Sequence, residues 1–239
     1  MDSNTTDDKV KRRYMNRKFG GAFVITIDGP AGSGKSTVSG KLARRLNMTF
    51  LTTGSFYRGL AELCKIKKID ITDEVLVASL AHYQGFRIHA DMYGTQVFID
   101  DVNVTAQINN DETAKIASRI SAYSQVRKAL LEAQREFNKP PAGLIAEGRD
   151  CGTVVFPDAD VKIFLTASLD MRAQRRSSEY KSTSEELIKN IAQRDEADSQ
   201  RKVAPMAKAH DAIEIDTSTL SIDEVVDKIV KVVESKKSQ

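Results

Sequence analysis

The run Gly29-Pro30-Ala31-Gly32-Ser33-Gly34-Lys35-Ser36 fills the pattern G-x-x-x-x-G-K-[ST] at every fixed position. Thr37 follows directly. Each residue type has a physical reason to be there. The glycines let backbone N–H groups converge on an oxyanion where a side chain would intrude. A helix opening at Lys35 adds its own unpaired N–H groups and dipole at the same spot. The Lys35 ammonium is long enough to reach the outer phosphates of a nucleotide, and the Ser36 hydroxyl suits Mg²⁺. Metal binding is therefore expected at Ser36, and phosphate binding along Gly29–Thr37. The loop alone does not separate a small-molecule kinase from a motor or a switch, because all three use the same cradle.

A second group of residues narrows the chemistry. Arg58, Arg127, Arg149, Arg172, Arg175, Arg176, Arg194 and Arg201 recur at loop edges and on polar helices, interleaved with Asp150, Asp195 and Asp198. An enzyme that joins one phosphorylated molecule to another must hold a second anion and neutralise charge during transfer, a task suited to several guanidinium groups. Solvated helix faces are the plainer explanation for many arginines, and a plain helix surface stays open as the alternative for Arg175 and Arg176. Arg149 is different, because it stands at the carboxyl end of an apolar strand, where α/β proteins bind ligands.

The elements that must position these groups are readable in outline. Phe23–Ile27 is a β-rich apolar run such as a buried parallel strand shows, and it leads straight into the glycine loop. Val38, Leu42, Ala43 and Leu46 then repeat at helical spacing. Phe50-Leu51, Leu144–Ala146, Val161–Leu165 and Ile213–Asp216 are further short strands. Helices are expected over Tyr57–Leu63, Val75–Leu80, the whole of Asp111–Phe137, from Leu169, and over Glu185–Ala197. Ser221-Ile222-Asp223-Glu224 is a capping box opening the last helix. Between Gly85 and Asn109 the pattern alternates at period two around a turn at Asp91–Thr95, which predicts a small antiparallel insert. Strands separated by helices imply a three-layer α/β fold with a mostly parallel central sheet.

Composition limits the alternatives. At 239 residues the chain can bury one substantial core with a small insert. Its net charge of +3 belongs to the first twenty residues, so the body has no general affinity for polyanions. Residues 1–20 are polar and patternless, and disorder is expected there. No run approaches the length of a membrane span, and the basic start is not followed by a signal-like apolar stretch. Cys64 and Cys151 form no CxxC and are expected to be free thiols in a reducing compartment.

Several blocks in order resemble the bacterial-type cytidylate (CMP) kinases of the nucleoside monophosphate kinase family, from about Phe23 to Val233. They are Ile25–Pro30, Gly54–Arg58, the long Ile145–Pro157 block, Lys162–Leu165 with Arg172–Arg176, Arg194-Asp195 with Asp198 and Arg201, and Val203–Pro205. The resemblance implies a P-loop core over 21–84 and 110–239, a short helical lid at about 168–195, and an inserted part of the acceptor-binding region at 85–109. It implies ATP and Mg²⁺ as cofactors, with CMP or dCMP as acceptor. Lys35, Arg149, Arg172 and Arg176 would be catalytic. Thr53, Arg58, Ser118, Arg127, Arg149, Asp150, Arg194, Asp198 and Arg201 would line the acceptor site. Within that set, Ser118 and Asp150 would face the cytosine amine, Arg127 the acceptor edge, Asp198 the sugar, and Arg58, Arg149 and Arg194 the phosphate. A cytoplasmic monomer needing neither membrane nor nucleic acid is expected. Two positions depart from the family pattern. Thr52-Thr53-Gly54 stands where Asp-Ser-Gly is common, and Glu147 where Asp is commoner, so altered metal wiring or rate is expected.

Overall fold

The computed structural model describes residues 21–139, 143–177 and 184–237, with residues 184–187 given by backbone only. The basic extension at 1–20 lies outside the described residues.

Five strands form one parallel sheet. They are β1 (Val24–Asp28), β2 (Thr49–Thr52), β6 (Leu144–Gly148), β7 (Val161–Thr166) and β8 (Ile213–Asp216), in the spatial order β2-β6-β1-β7-β8. Successive residues on a strand face opposite sides, and both sides are apolar. Val24, Leu51, Leu144 and Ala146 pack on one side, while Ile25, Ile27, Phe50, Ile145 and Ile163 pack on the other. The second side is covered by α1 (Lys35–Leu46), through Val38, Leu42 and Ala43, and by α8 (Ile222–Lys237), through Val225, Val226, Ile229, Val230 and Val233. The first is covered by α2 (Gly54–Ile66), α3 (Glu74–Ser79), α4 (Asp111–Ile120) and α5 (Ser124–Arg135). From β1 the chain crosses outward to β2, and it later crosses β1 the other way to β7, so strand order reverses around β1. A crevice therefore opens at the carboxyl ends of β1 and β6.

A separate antiparallel sheet holds β3 (Phe86–Asp91), β4 (Gly94–Ile99) and β5 (Val102–Asn103). Its β3–β4 turn is tighter than the expected Asp91–Thr95, because the Asp91 carboxylate accepts from the backbone N–H groups of Tyr93 (2.7 Å) and Gly94 (3.1 Å). Thr95 docks this sheet on β2. Its hydroxyl accepts from the Thr52 N–H at 2.8 Å and donates to the Phe50 carbonyl at 3.0 Å.

The single helix expected over Asp111–Phe137 is instead two helices. The break falls at Ser121–Tyr123, where the Ser121 hydroxyl donates to the Ser118 carbonyl (2.8 Å) and the Tyr123 hydroxyl to the Ile71 carbonyl (3.1 Å). The remaining helices are α6 (Leu169–Ser177) and α7 (Ser184–Ser199). The capping box forms as expected. The Ser221 N–H donates to the Glu224 carboxylate (2.8 Å), and the Glu224 N–H to the Ser221 hydroxyl (3.3 Å). Both cysteines are free and buried, and no described helix is long and apolar enough to cross a membrane.

Candidate active site

The loop between β1 and α1 follows a path that only glycine allows at two points. Gly29 has φ 143° and Gly32 φ 77°. A Cβ on Gly29 would lie 2.1 Å from the Leu165 carbonyl oxygen, and one on Gly32 would lie 2.9 Å from that of Arg172. The loop is thus pressed between β7 and α6. Ser33 Oγ and Lys35 Nζ both donate to the Pro30 carbonyl, at 3.0 and 2.7 Å, which arches the lysine back over the loop.

Gly32, Ser33, Gly34, Lys35, Ser36 and Thr37 line one end of a cleft of about 860 Å³. Thr53, Arg58, Ser118, Arg149, Asp150, Arg194, Asp198 and Arg201 line the same cleft. Lys35 and Arg149 therefore face one space, at the strand ends where the crevice was expected.

β6 delivers the central groups. Glu147, at its end, lies beside Thr52 of β2 in register. One carboxylate oxygen accepts from Ser36 Oγ (2.7 Å) and Thr52 Oγ1 (3.1 Å). The other, Oε2, is buried without a hydrogen-bond partner among the described residues. Thr52 thus spends its hydroxyl on orienting the longer Glu147 arm. Burial pulls the Lys35 ammonium down to about 7, helped by the charge of Arg149 and opposed by Glu147. Burial also pushes the Glu147 carboxyl up, against the pull of Lys35 and the two hydroxyls.

Arg149 follows, with Nε 2.7 Å from Asp198 and Nη1 on the Gly29 carbonyl. Asp198 also pairs with Arg201 and is almost fully buried. Arg194, one helical turn before Asp198 on α7, has its Nε buried with no hydrogen-bond partner among the described residues. Burial takes Arg194 down to about 10. Arg149 adds to the shift, as do Arg58 and Arg176, and Asp198 opposes it. Clustered guanidiniums with an unused donor give this end of the cleft the charge and the donors to hold an anion.

Asp150 and Arg127 form a buried ion pair. Arg127 also donates to the Ser121 carbonyl (3.2 Å) and lies 5.6 Å from the centre of the Tyr57 ring. Burial raises the Asp150 carboxyl, against Arg127 and Arg201. Thr53 Oγ1 donates to the Glu147 carbonyl at 2.9 Å, and Arg58 Nη1 to the Ile108 carbonyl at 2.9 Å, tying α2 to both walls. A wide turn at Cys151–Val155 closes the site from behind. Both Asp28 carboxylate oxygens accept from its N–H groups, those of Cys151 (2.9 Å) and Gly152 (2.7 Å).

Not every expected residue reaches the cleft. Gly29, Pro30 and Arg127 are outside the cleft lining, Arg127 being paired with Asp150. Arg172 is outside the cleft lining and holds the Ala31 carbonyl (3.1 Å) and Asp195. Arg176 lines the cleft, beside Arg175. Sequence reasoning missed the wall made by Thr217, Leu220, Ser221 and Val225 near the glycine loop. Thr217 Oγ1 donates to the Ser33 carbonyl (3.2 Å), and Arg175 donates to Thr217 at 2.9 and 2.6 Å. The capping box at Ser221 was the available signal, but it marks a helix start without saying what that start faces.

The family model described as cytidylate kinase matches residues 25–235. A cytidylate kinase from Bdellovibrio bacteriovorus is 50% identical over 214 residues, covering 90% of this chain and 99% of that protein. A cytidylate kinase from Stutzerimonas stutzeri is 44% identical over 214 residues, covering 87% of this chain and 93% of that one. With a complete glycine loop and a cluster of arginines sharing one cleft, and with matches of this extent, the chain belongs to the cytidylate kinase family.

Proposed function

We propose that this chain transfers the γ-phosphoryl group of ATP to CMP, and to dCMP, giving ADP and CDP or dCDP by direct in-line displacement. The observation that supports it most is the single cleft with the Lys35 loop at one end and the Arg58–Arg149–Arg194 cluster at the other.

The attacking group is the phosphate of the acceptor, already ionised near neutral pH, so no strong general base is needed. Positioning and charge neutralisation carry the rate. Lys35 sits over the loop, and a triphosphate beside it would restore the full charge that burial weakens. Arg176 reaches the transferring group from the lid side, while Arg149, Arg58 and Arg194 grip the acceptor phosphate. Arg172 contributes by holding the loop. Asp198, fixed by Arg149 and Arg201, accepts from sugar hydroxyls.

The residues fit Mg²⁺. Ser36 Oγ, the orphaned Glu147 Oε2 and Thr52 Oγ1 gather beside Lys35, a hard-oxygen set that leaves room for phosphate oxygens and water. When bound, Mg²⁺ neutralises charge on the outer phosphates. With Thr52 on β2, Glu147 on β6 supplies the carboxylate of this set.

Cytosine offers an amine where uracil has a carbonyl. Asp150, held by Arg127, accepts from that amine with Ser118 beside it, whereas uracil would set acceptor against acceptor. Initial rates with CMP, dCMP and UMP test this, together with the Asp150→Asn variant. CMP and dCMP should be preferred, and Asp150→Asn should cut the CMP-to-UMP efficiency ratio roughly tenfold or more. An unchanged ratio contradicts the base assignment.

A further inference from the structure

Ala31, within the glycine loop, has both of its backbone polar groups engaged by the lid-side helices. Its N–H donates to Asp195 Oδ1 of α7 at 3.0 Å, and its carbonyl accepts from Arg172 Nη1 of α6 at 3.1 Å. Arg172 and Asp195 are paired with each other, which closes a ring, and Arg172 Nε is held by the Ala167 carbonyl at 3.1 Å. Both side chains are largely buried. The same loop touches α6 at Gly32, where no Cβ would fit under the Arg172 backbone.

Asp195 directly follows Arg194 in α7, and Asp198 lies one turn further on. Arg194 and Asp198 line the acceptor end of the cleft, and Asp195 reaches sideways to the donor loop. One short stretch of helix is thus bonded to the phosphate loop and presents two groups to the acceptor. We infer that Asp195, held by Arg172, is a positioning residue that couples the two nucleotide sites: fixing the Ala31 peptide by phosphate binding fixes α7, and so sets Arg194 and Asp198 for the acceptor. Such coupling is reciprocal, so an acceptor bound at α7 steadies the donor loop equally. The inference rests on the two-nucleotide reading above and adds the device that links the sites.

Asp195→Asn isolates it. The amide oxygen can still accept from Ala31, but the amide nitrogen meets Arg172 donor to donor, so the ring opens without loss of volume. The experiment is calorimetric titration of CMP into the full chain, with and without a non-hydrolysable ATP analogue and Mg²⁺. In the unmutated chain the analogue should tighten CMP by a factor within roughly 5–150. In Asp195→Asn that factor should fall towards 1, with CMP affinity measured alone little changed. Arg172→Gln should do the same, and the double variant no more than either single one. Asp195→Glu, which keeps the carboxylate, should restore part of the coupling. A purely structural role would lower the melting temperature and weaken both nucleotides but keep the factor, and that result overturns the inference. No coupling in the unmutated chain overturns it too, while leaving the kinase reading intact. Failure of that chain to bind CMP at all overturns the kinase reading and the inference with it.

Discussion

Asp28 is a buried carboxylate whose proton affinity changes between an open chain and this fold. Burial pushes its carboxyl up to about 6, while the Gly152 and Cys151 N–H groups pull it back. It stands one residue before the glycine loop and holds the turn that follows Arg149 and Asp150, so one side chain ties donor loop to acceptor wall. The sign of its pH effect is the reverse of a salt-bridged carboxylate. Between the ordinary value of 3.8 and about 6 the folded state keeps a proton that the unfolded state has released. Stability is then lost as pH rises through that window, by on the order of 3 kcal/mol. Denaturant unfolding from pH 4.5 to 7 should show the native chain losing stability relative to Asp28→Asn, which cannot titrate. A constant difference contradicts this assignment.

Lys35 and Ser36 were legible because they sit in a contiguous block whose spacing carries its own physical reason, and Asp150 because the block around it resembles the family. The roles of Asp195 and Thr217 were not, because their partners are far away in sequence, and neither was the buried Nε of Arg194, whose surroundings only the fold creates. Nothing local marks an aspartate that will find a backbone N–H 164 positions earlier.

Among the elements, the strands and the glycine loop came through almost unshifted. The apolar runs of β1, β6 and β7 are buried on both faces, and the loop's geometry is set by glycine. The break between α4 and α5 did not come through. Its residues include no glycine or proline, and the apolar period reads on across it. Tertiary contacts decide it instead, since Tyr123 is anchored on Ile71 and the freed Ser121 carbonyl goes to Arg127. The polar hook that docks the small sheet was equally hidden, because it is one hydroxyl beside the packing of Val97 and Ile99 into the core. Thr95→Val keeps the shape but leaves the Thr52 N–H and the Phe50 carbonyl without that partner. It should cost about 1–3 kcal/mol. For a chain of this size that lowers the melting temperature by roughly 2–4 °C per kcal/mol. A melting temperature equal to that of the unmutated chain would show that the hook holds nothing.

At the scale of the whole molecule, topology brings the two ends of the reaction together. Strand order reverses around β1, so the glycine loop leaving β1 and the Glu147–Asp150 segment leaving β6 open into the same crevice. The helices α6 and α7, which follow β7, add Arg176 and Arg194 to the lining of the same cleft. The claim at the centre is that phosphate leaves one nucleotide only to arrive on another. Phosphorus NMR of ATP, CMP and Mg²⁺ with the enzyme tests it directly, with Lys35→Ala as the control. ADP and CDP should grow in equal amounts with no inorganic phosphate, and Lys35→Ala should slow both by roughly 10²–10³-fold or more while remaining folded. Release of inorganic phosphate with CMP left unchanged would contradict the account.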